Sequence, residues 1–106
     1  MISSHILDTA SGRPAAGVAV RLEKQLADGV WKPAGEAVTD ADGRVKELLA
    51  ESVEATTYRL TFATGAYFPE GLYPEVSIVF AVRDASRHYH IPLLLSPHGY
   101  TTYRGS

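Results

Sequence analysis

The sequence predicts an all-β sandwich of two four-stranded sheets with one short helical turn, and three observations carry that expectation. Apolar and polar residues alternate at period two, the signature of half-buried strands. Turn signals cut the chain at short intervals, the spacing typical of a sandwich or barrel. The chain has 106 residues, enough for one domain and one packed core and too few for two domains. A chain of this size leaves about a third of its unfolded surface exposed on folding, so little stability is left to spare and association with further copies would help.

Strands are expected near residues 2–8, 17–25, 30–38, 44–48, 57–63, 75–83, 87–96 and 100–105. The first carries Ile2 and Ile6 on one side and Ser3, His5 and Leu7 on the other. After the turn Ser11-Gly12-Arg13-Pro14, the second sets Val18, Val20 and Leu22 opposite Ala19, Arg21 and Glu23. The third lies between the turns Ala27-Asp28-Gly29 and Asp40-Ala41-Asp42-Gly43. The fourth is ambiguous, because Val45, Leu48, Leu49 and Val53 also fit a helical stripe and residues 46–54 contain good helix formers. After the fifth, a helical turn at Thr64–Phe68 is expected to stop at Pro69, since the residue before a proline avoids the helical region. The sixth places Val76, Ile78, Phe80 and Val82 opposite Ser77, Val79 and Ala81. In the seventh, Tyr89, Ile91, Leu93 and Leu95 form an unbroken apolar face. The turn Ser96-Pro97-His98-Gly99 leads into the last strand.

Composition narrows the function. Hydrophobic residues make up 45% and charged residues 21%, ordinary values for a folded domain and wrong for disorder. Ten Lys and Arg against twelve Asp and Glu leave no basic surplus, so nucleic acid is not an expected partner. The absence of cysteine removes disulfides, thiolate nucleophiles and Cys-based zinc sites. No run approaches the roughly eighteen apolar residues of a membrane helix, and Met1–His5 lacks the basic start of a signal peptide. A cytoplasmic location is expected, with no membrane partner; a periplasmic one is the alternative if a signal peptide is removed.

The chemistry points to the histidines. With Tyr89, Ile91, Leu93 and Leu95 assigned to the core, His88, His90, Pro92, Leu94 and Ser96 face the other way. His5 shares a face with Leu7. Apolar residues beside histidines on outward faces suggest a subunit interface or pocket rather than a wet surface. Histidine titrates near neutral pH and suits acid–base work. Metal binding is the less favoured reading, because His88 and His90 lack a clear third ligand and Asp8 points opposite to His5. Arg44, just past the Asp42-Gly43 turn at what reads as a hairpin tip, offers a planar two-pronged donor for a carbonyl-rich or anionic substrate.

These residues also carry a resemblance over nearly the whole chain. Ser4-His5-Ile6-Leu7-Asp8, Gly12-Arg13-Pro14-Ala15, Thr39 to Arg44, His88-Tyr89-His90-Ile91-Pro92-Leu93-Leu94-Leu95-Ser96-Pro97 and Tyr103-Arg104-Gly105-Ser106 resemble the 5-hydroxyisourate hydrolases, the transthyretin-related enzymes of urate breakdown. The closing tetrapeptide is the specific part. The resemblance implies a transthyretin-like (prealbumin-like) sandwich assembled as a homotetramer, with active sites at the dimer–dimer interface. It implies catalytic positions at His5, Arg44, His90 and Ser106, and a substrate pocket shaped by Tyr103, Arg104 and Gly105. Neither cofactor nor metal is implied, and the substrate is 5-hydroxyisourate. The connection from Thr64 to Pro74 looks shorter than usual, and His98 stands where an aromatic residue is expected. A small-ligand carrier of the same fold is the alternative from another class; it would tolerate substitution of His5, Arg44 and His90. A structural β-spacer resembles only the first half of the chain.

Overall fold

The computed structural model describes residues 1–49 and 52–106 and contains two sheets packed face to face. Among the described residues nine strands occur in chain order: β1 (Ile2–Asp8), β2 (Arg13–Pro14), β3 (Ala19–Gln25), β4 (Trp31–Val38), β5 (Arg44–Val45), β6 (Thr57–Phe62), β7 (Val76–Ala81), β8 (Tyr89–Ser96) and β9 (Gly99–Thr102), with a helical turn α1 at Thr64–Tyr67 between β6 and β7. One sheet runs β4-β3-β6-β7 and is antiparallel throughout. The other runs β2-β1-β8-β9, and β5 pairs with the same edge of β1 that β2 uses further along, so this sheet is also four positions wide. Among the described residues only β1 and β8 run parallel, and their register places Ser3 beside His90 and His5 beside Pro92.

The alternation read from the sequence sets the two inner faces. Ile6, Leu22, Leu60, Phe62 and Leu93 are fully buried between the sheets. Each such side chain contributes about 1.5–3 kcal/mol relative to an exposed one. Val79, on the opposite face of its strand, is 59% exposed.

Polar groups that enter the core are satisfied. Thr39 Oγ1 accepts a bond from Val18 N and donates to Ala15 O, tying the crossover between sheets to both. Asp8, also buried, accepts from Ala10 N, Ser11 N and the Tyr67 hydroxyl. Burial alone would raise its pKa. The hydrogen bonds from Tyr67, Ser11 and Ala10 outweigh that effect and hold the carboxyl below its ordinary value. Because α1 supplies Tyr67, this carboxylate joins the helical turn to the first strand.

The helical turn expected at Thr64–Phe68 is present one residue shorter, and the following connection folds back through Gly65 N to Pro74 O and Leu72 N to Pro97 O. Three expectations need correction. The strand expected at 44–48 is only Arg44–Val45, and no helix replaces it at 46–49 or 52–54; residues 50–51 lie outside the described residues. Val45, at the end of β5, and Leu48, in the irregular chain that follows, are both buried three positions apart, which reproduces a helical stripe without a helix. Arg44 is not on a hairpin: β4 belongs to one sheet while β5 pairs with β1 in the other, so the Asp42-Gly43 turn is a crossover between sheets. The last strand stops at Thr102, and Gly105 alone bridges back to His90. No helix among the described residues is long and apolar enough to cross a membrane.

Candidate active site

The outward face of the β1–β8 pair carries the candidate side chains because side chains alternate across a strand and Cα partners in a parallel pair point to the same side. With Ile2, Ser4 and Ile6 buried beneath, Ser3, His5 and Leu7 rise on the other face next to His90, Pro92 and Leu94. Arg44 reaches this face from β5, whose register pairs it with His5. A rigid turn holds it there: Asp40 Oδ1 accepts bonds from Asp42 N and Arg44 N, and Gly43 takes a positive φ of 72°. A side chain at Gly43 would also strike Ile6 O at 2.5 Å, so only glycine fits. The Arg44 backbone bond is the foremost reason that the Asp40 carboxyl is held below its usual range.

A pocket of about 440 Å³ opens on this face, lined by Ser3, Arg44, His88, His90 and Ser106 among others. Its size suits a small heterocycle. Ser3 Oγ lies 2.7 Å from both His88 Nε2 and His90 Nδ1. The pKa of His90 is lowered from 6.5, first by burial and then by the positive charges of His88, Arg44 and His5. A neutral imidazole in this position is a proton acceptor at neutral pH. Gly105 packs against His90: its N–H donates to His90 O at 2.8 Å, and a Cβ there would lie 2.5 Å from His90 Cδ2.

The structure gathers most, but not all, of the residues singled out from sequence. Arg44, His90 and Ser106 meet in the pocket, and Gly105 packs on His90. His5 is half-buried on the same face but does not line the pocket within one chain. Tyr103 and Arg104 were expected around the substrate and instead line a separate groove with Ile78, Phe80 and Tyr89. The reason is that β9 ends at Thr102, so the chain beyond it is no longer held to the face of a strand. The Arg104 guanidinium stacks 4.3 Å from the centre of the Tyr89 ring, and Tyr89 points away from the face that carries His88 and His90. His98 is exposed in the β8–β9 turn and away from the pocket.

Sequence reasoning missed Ser3, together with Lys46 and Glu47 at the pocket edge. The available signal for Ser3 was its position two residues before His5, on the same strand face. Among the described residues no three His, Cys, Asp or Glu side chains group as metal ligands. A larger concavity of about 600 Å³ lies on the outer face of the other sheet, but its ionisable groups are Arg21, Glu36 and Glu75, with no base for neutral pH.

Comparison with known proteins places the arrangement. The model of the HIUase/Transthyretin family matches residues 2–105. The chain belongs to this family. It is 44% identical to the 5-hydroxyisourate hydrolase of Salmonella dublin, over all of this chain and 81% of the relative. Among solved structures, the Klebsiella pneumoniae 5-hydroxyisourate hydrolase superimposes with a TM-score of 0.87 at 37% identity, covering 99% of this chain and 98% of that one. Sea bream transthyretin in complex with thyroxine superimposes with a TM-score of 0.92 at 35% identity, covering 98% of this chain and 93% of that one. Within the HIUase/Transthyretin family, overall shape therefore does not separate the two kinds of member, and the side chains of the site must do so.

Proposed function

We propose that this protein hydrolyses 5-hydroxyisourate to 2-oxo-4-hydroxy-4-carboxy-5-ureidoimidazoline, a step of urate degradation, without a cofactor. The observation that carries the reading is the meeting of a neutral, half-buried His90 with Arg44 and Ser106 in one pocket. The 44% identity to a Salmonella hydrolase supports it. The reaction opens a six-membered ring at an amide bond. An amide carbonyl is a poor electrophile and water a poor nucleophile, so a base must take a proton from water while donors hold the developing oxyanion. His90 is that base. Arg44 orients the substrate and stabilises negative charge through two parallel N–H donors, and the Ser106 hydroxyl donates to the substrate.

His5 enters this reading through assembly. Leu7, Leu94 and the half-buried His5 form one continuous face with the pocket. Closing that face against a second copy in a homotetramer would bring a further imidazole to the site. Light scattering tests the assembly, and a monomeric mass at all accessible concentrations would exclude it.

The test of function is to generate 5-hydroxyisourate with urate oxidase and follow its ultraviolet decay. Added protein should accelerate the decay, and Arg44→Lys should slow it because an ammonium lacks the planar fork. Decay unchanged by the wild-type protein would leave the alternative, a transthyretin-like carrier that binds a small ligand without turning it over.

A further inference from the structure

We propose that His88 acts through Ser3 as a positioning partner of His90, fixing its tautomer and holding its proton during turnover; this role rests on the hydrolysis proposed above. Ser3 is 4% exposed, and its Oγ lies 2.7 Å from a ring nitrogen of each histidine. The parallel register sets Ser3 beside His90, and His88 lies two positions earlier on the same face of the chain. His88 itself is exposed, so the three groups form a short path from the pocket to solvent.

A hydroxyl has one proton to donate, and a neutral imidazole has one donor and one acceptor nitrogen. If His90 takes a proton from water at Nε2, its own proton must sit on Nδ1 and point at Ser3 Oγ. The Ser3 proton then points at His88 Nε2, which leaves the His88 proton on Nδ1. Each group in the chain dictates the next.

The same path relocates charge. His90 is surrounded by Arg44 from β5, His5 from β1 and His88, while Lys46 and Glu47 line the same pocket. An imidazolium beside Arg44 is disfavoured. When Nε2 gains a water proton and hydroxide adds to the substrate carbonyl, the Nδ1 proton passes to Ser3 Oγ and the Ser3 proton passes to His88 Nε2. The positive charge then sits on the exposed ring, and His90 is neutral with its proton on Nε2. When the ring carbon–nitrogen bond breaks, that proton goes to the departing nitrogen, the Ser3 proton returns to Nδ1, and the extra His88 proton returns to Ser3. One proton has moved from water to nitrogen, and the chain is back in its starting state.

Two measurements test this. Ring ¹⁵N NMR of histidine-labelled protein reports the tautomer without any substrate. The neutral His90 should carry its proton on Nδ1 in the wild type, become a mixture in Ser3→Ala, and stay fixed in Ser3→Thr, which keeps the hydroxyl. In steady-state assays Ser3→Ala and His88→Asn should each lower kcat by about 10- to 100-fold, as loss of a group that orients a histidine does elsewhere, with KM little changed. The double variant should be no slower than the slower single one, because His88 acts only through Ser3. Additive losses, or a His90 tautomer indifferent to Ser3→Ala in an active enzyme, would overturn the relay alone. A wild-type protein that fails to accelerate decay would remove the hydrolase reading and the proton-holding role with it, whatever the NMR shows.

Discussion

Gly105→Ala isolates the fit between the closing tetrapeptide and His90, the proposed base. The new Cβ would lie 2.5 Å from His90 Cδ2, 3.2 Å from Cγ and 3.3 Å from Pro92 Cγ. Carbon atoms pack best at about 3.5–4.0 Å, so the ring or the tail must yield by about 1 Å. Gly105 does not use the left-handed region, so the substitution adds no backbone strain and the clash alone acts. If the ring moves, it leaves its 2.7 Å bond to Ser3 and its place in the pocket; if the tail moves, the 2.8 Å bond from Gly105 N to His90 O breaks and Ser106 withdraws. A misplacement of about 1 Å at a reacting group costs about 10²-fold in rate, which corresponds to about 2.7 kcal/mol in the barrier. Global stability should fall by no more than about 1 kcal/mol, the net worth of one hydrogen bond. The assay is the decay of 5-hydroxyisourate, with thermal unfolding of the same samples alongside. Wild-type kcat in Gly105→Ala would refute the reasoning, because the contact would then be irrelevant to the position of His90.

Two further outcomes follow from charge. Burial first, and then His88, Arg44 and His5, depress the pKa of His90, so the base form persists into mild acid; kcat/KM should rise with pH through a midpoint below about 6.5 and be flat above it, and a midpoint at or above the free value would contradict the assignment. Asp8 has a depressed carboxyl pKa, so its contribution to stability is present above the unfolded value of about 3.9 and is lost as pH falls through the folded value. Tyr67→Phe removes one bond to this carboxylate and should cost about 1.5–3 kcal/mol at pH near 7, with the difference from wild type shrinking in acid; urea unfolding at two pH values would measure it, and a difference that persists undiminished in acid would place the effect elsewhere.

The alternation Tyr89-Ile91-Leu93-Leu95 against His88-His90 was legible in the sequence because strand side chains have a fixed period, and that period alone decides which residues meet the core. The helical turn before Pro69 was legible for a similarly local reason. The fate of residues 46–49 was not, because buried positions three apart arise equally from a helix and from irregular chain crossing between sheets. The residues themselves pointed to Arg44 and His90, and the resemblance added Ser106; the convergence of Arg44 and His90 is a property of the pairing of β1 with both β5 and β8, and the bridge between His90 and Gly105 brings Ser106 to them. The closing tetrapeptide shows the division most clearly. Its four residues are contiguous in sequence, but the chain leaves the strand after Thr102, so Arg104 turns to the Tyr89 ring while Gly105 and Ser106 turn to His90. Ser3 acquired its two histidine partners only through a parallel register 85 and 87 residues away. Local periodicity determines which face a residue takes; which residues share that face depends on strand pairing, and strand pairing is settled by the packing of the whole chain.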